Sequence, residues 1–287
     1  MNASPHPPAS PAGLAVVTGA AGDIGQAIAR ALAETHAGVA VVDLDMAGAE
    51  AAAAGLDMAG AEAAAAGIGP RARAFACDVT EPAAVAALAE RVAAWGPVRT
   101  LVNNAGAARR TSLGATSAAD WSADIALNLD AAWYCFDAFR PALAAMRGSL
   151  VNIASVNGMA VFGHPAYSAA KAGMIHLTRL IAVEYGRAGI RANTVAPGTV
   201  ATRAWRARQA ANPRVMEEAA AHYPLGRVAT PEDVAAAVAF LAGPQAAAIT
   251  GVCLPVDCGL TAGVPGLART FSQSDDYDRP IAPFALT

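Results

Sequence analysis

Seven short apolar runs, near residues 14–18, 38–43, 72–77, 98–103, 149–154, 190–196 and 251–256, alternate with helical patterns as far as Leu241. A strand, a helical crossover and another strand in steady alternation close only as a parallel sheet with right-handed connections. Such a sheet carries helices on both faces, so its strands are apolar throughout. The composition fits: 55% of the 287 residues are apolar and only 15% are charged. That length suffices for one large α/β core, and no interdomain linker interrupts the pattern. The expected architecture is a single-domain, doubly wound, seven-stranded parallel sheet flanked by helices.

The first strand and helix suggest an anion site. Leu14-Ala-Val-Val-Thr-Gly19 reads as a buried strand entering a tight turn, and the run from Asp23 to Leu32 as the helix that follows. Gly19, Gly22, Asp23 and Ile24 therefore stand at a strand–turn–helix junction. Free N–H groups and the helix dipole there attract a phosphate. The second strand, Gly38–Asp43, ends in a carboxylate about 20 residues further on, where an acid accepts hydrogen bonds from adenosine ribose hydroxyls. Its charge repels a 2′-phosphate, which favours NAD over NADP.

A second constellation handles protons. Tyr167 and Lys171 are four residues apart, on one face of a predicted helix, and Ser155 lies upstream. A free phenol titrates near ~10 and is a poor base at neutral pH. A neighbouring ammonium is expected to lower that value, and a serine hydroxyl opposite can hold a carbonyl or alkoxide oxygen.

These pieces, together with Cys77-Asp78-Val79, Asn103-Asn104-Ala105-Gly106, Asn128 in Ala-Leu-Asn-Leu and Pro197-Gly-Thr-Val-Ala-Thr202, resemble the short-chain dehydrogenase/reductase superfamily from about Gly13 to Gly263. The resemblance implies a Rossmann-type sheet and a nicotinamide cofactor. It also implies roles: Tyr167 as acid/base, Ser155 orienting the substrate oxygen, Lys171 on the nicotinamide ribose, and Asn128 holding a relay water. Asp78, Val79 and Asn104 are implied on the adenosine side, with Thr199, Val200 and Thr202 flanking the nicotinamide amide. Asn157, His164, Trp205, Met159, Phe162 and Arg109 are implied near the substrate mouth. The segment 200–224, with Arg206, Arg208 and His222, is implied as a lid. Helices around Trp121–Met146 and Pro165–Gly186 imply a homotetramer.

Two positions depart from the family pattern. Asp23 stands where a glycine normally lets the pyrophosphate approach, and is expected to turn back as a helix N-cap. Cys258 replaces a glycine of the Asp-Gly-Gly turn and reads as a local turn variation. Residues 45–56 and 57–68 are a tandem duplication of twelve residues that differs only at the last position. In one continuous helix the second copy would be rotated by ~120°. One copy is therefore expected to pack on the sheet and the other to project, with Asp57 as a possible cap after a stop at Gly55. Residues 1–12, rich in Pro, Ser and Ala, read as a disordered leader. Residues 264–287 form a C-terminal extension whose Phe271, Tyr277 and Phe284 suggest docking.

The net charge is −3 without a basic run, which points away from nucleic acid and anionic lipid. No unbroken apolar stretch reaches membrane-spanning length. Cys77, Cys135, Cys253 and Cys258 show neither metal-ligand nor disulfide spacing, so no metal and a reducing, cytoplasmic setting are expected. The expected activity is NAD-dependent oxidation of a secondary alcohol or reduction of its ketone, the substrate being a sugar, polyol or other small polar molecule. The alternatives are a 3-oxoacyl-thioester reductase using NADPH and, from a different class, an inactive cofactor-sensing protein.

Overall fold

The computed structural model describes residues 13–44 and 58–277. The leader, the first copy of the duplication with Asp57, and the tail end with Phe284 lie outside the described residues. Seven strands run β1 (Leu14–Thr18), β2 (Gly38–Asp43), β3 (Ala72–Ala76), β4 (Val98–Asn103), β5 (Ser149–Ile153), β6 (Arg191–Pro197) and β7 (Cys253–Val256). They form one sheet in the order β3-β2-β1-β4-β5-β6-β7, and every pairing is parallel. The last strand begins two residues later than expected, because Gly251 turns through a positive φ of 77° before it.

Successive strand residues point to opposite faces, and the core divides accordingly. Val17, Val39, Val41, Val102 and Val195 pack beneath α1 (Asp23–Ala33), α2 (Met58–Ile68) and a later helix, Pro231–Ala242. Val16, Val42, Leu101 and Leu150 pack on the other side with α3 (Pro82–Ala93), a helix Ala131–Ala145, and Ile181 of the long helix Pro165–Tyr185. The second copy of the duplication is α2. Its Ala61, Ala64 and Ala65 are buried at helical spacing against the core, so this copy packs on the sheet.

The chain order reverses between β1 and β4, since the sheet grows outward to β3 before returning past β1. Crossovers leave in opposite directions there, and a crevice opens above the carboxyl ends of the strands. Both constellations singled out in the sequence lie at that edge. Among the described residues no helix is long and apolar enough to cross a membrane.

The opposite edge holds a polar knot. His36, after α1, is buried with Nε2 2.9 Å from Thr100 Oγ1 and Nδ1 3.1 Å from Leu32 O. Thr100 Oγ1 lies 3.3 Å from Ser149 Oγ. Burial holds the imidazole below its usual range, and the Arg99 charge adds to this, while the Leu32 carbonyl opposes it. The folded protein therefore resists a proton that the unfolded chain takes up below about pH 6.5. Stability is full above that pH and is lost as pH falls toward the lowered folded value. Urea unfolding at pH 7 and pH 5 should show this loss in the parent and a smaller loss in His36→Gln.

Candidate active site

The glycine turn after β1 is built by backbone crowding. Gly19 has φ +63°, and a Cβ there would lie 2.7 Å from Ala105 Cα. At Gly25 a Cβ would meet Gly19 O at 2.3 Å. Neither position tolerates a side chain. Neighbouring strands hold the turn open. Asn104 Nδ2 donates to the carbonyls of Thr18 (3.0 Å) and Gly19 (2.9 Å). The buried Asp43 carboxylate accepts from Ala21 N (2.7 Å) and Leu44 N (2.9 Å). Asp78 Oδ1 accepts from Thr80 N and Oγ1 at 2.9 and 2.6 Å, and Val79 is buried beside it. Ile24 packs its side chain on the core.

Asp23 departs from expectation. The N-cap of α1 is Gly22, with no side-chain cap bond, and Asp23 is the first helical residue. Its carboxylate instead takes the Arg203 N–H at 2.5 Å and the Arg203 Nε–H, while Arg203 Nη2 donates to Ala21 O at 3.3 Å. A full guanidinium charge has outcompeted the partial charges of the helix end.

The proton-handling residues converge from three elements. Between α4 (Ala118–Ile125) and α5 (Ala131–Ala145) one widened π turn, Ala126–Asp130, interrupts the helix. It buries Asn128, whose Nδ2 donates to Ala107 O (2.8 Å) and Asp124 O (2.9 Å). Among the described residues Asn128 Oδ1 is buried without a partner. A Cβ on Gly106 would lie 2.7 Å from that oxygen and 3.2 Å from Lys171 Nζ. An orphaned acceptor and an ammonium thus face one space that only glycine leaves free, a setting suited to a bridging water.

Ser155 follows β5 and opens a short 3-10 turn, Val156–Gly158. Its Oγ is 3.2 Å from both Asn157 N, which donates to it, and Asn157 Oδ1. The same hydroxyl lies close enough to the Tyr167 phenol to favour its phenolate. One hydroxyl proton cannot serve Asn157 Oδ1 and Tyr167 together, so Ser155 can present either a donor or an acceptor to the phenol. Tyr167 and Lys171 both belong to α6 (Pro165–Tyr185). Lys171 Nζ sits 5.5 Å from the Tyr167 ring centre and donates to Ile153 O at 2.8 Å.

The electrostatics differ from the sequence expectation. Burial pushes the Lys171 ammonium down to about 7. Burial also pushes the Tyr167 phenol up, against the Ser155 hydrogen bond, and the Asp124 carboxylate adds to the rise. In the free protein burial outweighs what the Lys171 ammonium gives the phenolate, since its donor is directed at the Ile153 carbonyl.

A family model described as "Enoyl-(Acyl carrier protein) reductase" matches residues 19–261. The D-threitol dehydrogenase of Mycolicibacterium smegmatis is 39% identical over 86% of this chain and 92% of its own. The cis-4-hydroxycyclohexanecarboxylate dehydrogenase of Sinomonas cyclohexanicum is 42% identical over 87% and 96%. A solved structure from Beutenbergia cavernae, assigned as an NAD(P)-dependent gluconate 5-dehydrogenase with NADP bound at low occupancy, superposes with a TM-score of 0.78. It is 35% identical and is matched over 88% of this chain and 99% of that one. The chain belongs to the short-chain dehydrogenase/reductase family. It is an enzyme acting on CH–OH donors, and its named relatives are dehydrogenases of secondary alcohols.

In this dehydrogenase several residues expected at the substrate mouth have other duties. Arg109 is anchored by the buried Asp124 (Nη1–Oδ1 2.7 Å). Asn157 ties Ser155 to the start of α6 through Gly163 O (3.0 Å) and Ser168 Oγ (3.2 Å). His164 caps α6 in a left-handed conformation, φ 54°, with Nδ1 3.0 Å from Arg110 O. Trp205 lies under the Arg208 guanidinium at 4.6 Å. Met159, Phe162 and His222 do line a cavity of about 810 Å³, together with Tyr223, Leu260 and Tyr277. The extension supplies Pro265 and Gly266 of its helix Pro265–Ser272 to that wall, whereas Phe271 is exposed. Val200 is buried and bridges Ala229, and Thr199 N donates to Tyr223 Oη at 2.8 Å. Cys258 adopts φ +50°, which explains why a glycine suits that turn.

Asp124, Gly106, Tyr223 and Arg203 were not singled out as site residues from the sequence. Asp124 stands four before Asn128 on one helix face, and Arg203 directly follows Thr202, so both carried a positional signal. Two predictions follow from this geometry. Gly106→Ala fills the space between Asn128 Oδ1 and Lys171 Nζ, and kcat should fall about 100-fold, the scale of a lost proton-transfer partner. Lys171→Met removes a buried charge. At pH 6 thermal unfolding should show it more stable than the parent by ~1 kcal/mol or more, although inactive. The unfolded chain keeps its lysine proton well above pH 7 while the folded parent sheds it, so the parent gains stability as pH rises and the advantage of the variant shrinks.

Proposed function

We propose that this dehydrogenase interconverts a neutral secondary alcohol and its ketone, using NAD in preference to NADP. The convergence of Ser155, Tyr167, Lys171 and the orphaned Asn128 Oδ1 beside the glycine cradle carries the reading. The Gly19–Ile24 turn with Asp43 and Asn104 would hold the adenosine side of the dinucleotide, and Lys171 with Val200 and Thr202 the nicotinamide side. When bound, the cofactor supplies the hydride acceptor or donor at its ring.

The chain's own residues handle the oxygen. Ser155 orients it, with its acceptor or donor face set by Asn157. Tyr167 exchanges the proton with it. In the free protein the raised phenol remains protonated at neutral pH, which suits the acid role in ketone reduction. For alcohol oxidation the positive charge of oxidised nicotinamide, added to that of Lys171, would favour the phenolate. Asn128 Oδ1 and Lys171 Nζ hold the water through which that proton reaches solvent.

The buried Asp43 carboxylate at the end of β2 supports NAD, because its negative charge would repel a 2′-phosphate placed there. The cavity supports a substrate with a partly apolar body. No Asp, Glu, Lys or Arg lines it, and Met159, Phe162, Leu260 and Val264 supply apolar wall. We further propose a homotetramer in the cytoplasm. Exposed Trp133, Leu180, Val183 and Phe240 on the outer helices support the assembly, and the four unpaired cysteines support a reducing compartment.

NADH absorbance in the presence of cyclohexanol-type alcohols, linear secondary alcohols and D-threitol tests the reading. We expect NAD to exceed NADP at least about tenfold in kcat/KM, apolar-bodied alcohols to exceed the polyol, and Tyr167→Phe to lose about 100-fold or more. Turnover with NADP alone, led by a 3-oxoacyl thioester, would replace this function with the reductase alternative.

A further inference from the structure

We propose that Arg203 and Asp23 form a latch that closes the lid against the phosphate turn and sets how fast the bound dinucleotide leaves. The inference rests on the nicotinamide-dinucleotide reading above and assigns a function to two residues outside the proton relay.

Asp23 is a puzzle in isolation. It is the first residue of α1, immediately after Gly22, where the N–H groups that receive a phosphate begin. A lone carboxylate there opposes the anion the turn is built to bind. Arg203 resolves the conflict by forming a neutral pair with it. Arg203 Nη1 takes part in none of the bonds to the turn, so one arm of the guanidinium fork is left for a phosphate oxygen.

The pair is more than a contact between two flexible side chains, which would contribute little at such an exposed site. Arg203 binds the turn through its backbone N–H as well as through Nε and Nη2. The chain itself is therefore fixed at that point. It also lies near the start of the lid segment 200–224, which continues through the turn Arg203–Trp205, α7 (Arg206–Ala211) and α8 (Val215–Ala220). The far end of the lid is pinned by Tyr223 Oη to Thr199 N.

The two partners come from opposite banks of the crevice. Asp23 follows β1 and Arg203 follows β6, with β4 and β5 between these strands in the sheet. A dinucleotide reaching from Asp43 to Lys171 must pass between the two segments. Its departure then requires the latch to open.

The two residues have unequal consequences for binding, and this separates a latch from general structural support. Loss of Arg203 frees the lid and also leaves Asp23 facing the diphosphate uncompensated. Loss of the Asp23 side chain frees the lid and removes the repulsion together. Stopped-flow displacement of NADH by excess NAD, followed by nicotinamide fluorescence, reads both effects. Arg203→Ala and Asp23→Gly should each raise the NADH dissociation rate about tenfold, and the double variant about tenfold rather than hundredfold, since the residues act as one pair. The association rate should fall in Arg203→Ala alone. Raising the salt concentration should speed dissociation in the parent but not in the variants. Trypsin should cut the cofactor-free variants within the lid, at Arg206 or Arg208, faster than the parent.

An unchanged dissociation rate in both single variants would overturn the proposal, as would a multiplicative hundredfold rise in the double variant. If neither NADH nor NADPH binds to any variant while lid cleavage still accelerates, the contact holds the lid but the cofactor reading fails, and the proposed role in cofactor release fails with it.

Discussion

A parallel sheet covered on both faces can do chemistry only at its strand ends, and this constraint organises the molecule. β1 and β2 are buried along their whole length, so only their carboxyl-terminal ends can meet a ligand. At the carboxyl edge the crossovers part between β1 and β4, and backbone N–H groups, Asp43, Asn104 and Ser155 all emerge there. Thr18 shows how tightly the edge is tied. Its Oγ1 accepts from the N–H groups of both Asn104 (3.0 Å) and Ala105 (3.1 Å), clasping the end of β4 to the end of β1. The cradle and the base of the proton site are therefore positioned by the same core packing.

The site is assembled from groups that the fold holds at a cost. Lys171 is an ammonium with almost no exposure, Asn128 Oδ1 lacks a buried partner, and His164 sits in left-handed backbone at the head of the helix that carries Tyr167. Each would be destabilising in an ordinary core. Asn128 Oδ1 and Lys171 Nζ face one space beside Gly106, and the His164 ring lies 6.4 Å from that of Tyr167. Such unfavourable features persist together where a ligand and water complete them, and the surrounding aliphatic core supplies the stability that tolerates them.

Much of the fold was legible in the chain. The strands 14–18, 38–43 and 98–103 match the sequence reading residue for residue, since β-branched apolar runs there are bounded by glycine, aspartate and asparagine. The place of Tyr167 and Lys171 on one helix was legible from their spacing, whereas Asn128 came only from the family resemblance. What escaped depends on tertiary neighbours. The partner of Asp23 lies 180 residues away, and nothing in the sequence around Asp23 points to it. The direction of the Tyr167 shift depends on how much water the fold excludes, which spacing does not reveal. The Asp124 carboxylate that anchors Arg109 lies 15 residues away, beyond the reach of local spacing.

Asp23 also shows how a binding turn can depart from its glycine pattern without losing its geometry. The crowded contacts lie at Gly19 and Gly25, where a Cβ would strike backbone. Position 23 is not crowded in this way: its side chain extends from the first turn of α1 to the lid. Steric necessity thus protects two of the three glycine positions of the family pattern, while the third can exchange close approach of backbone for charge. Once an acid occupies that third position, a cation on the lid is the natural counterpart, because the turn would otherwise repel its own ligand. The glycine turn and the lid then behave as one electrostatic unit, although they belong to opposite ends of the chain.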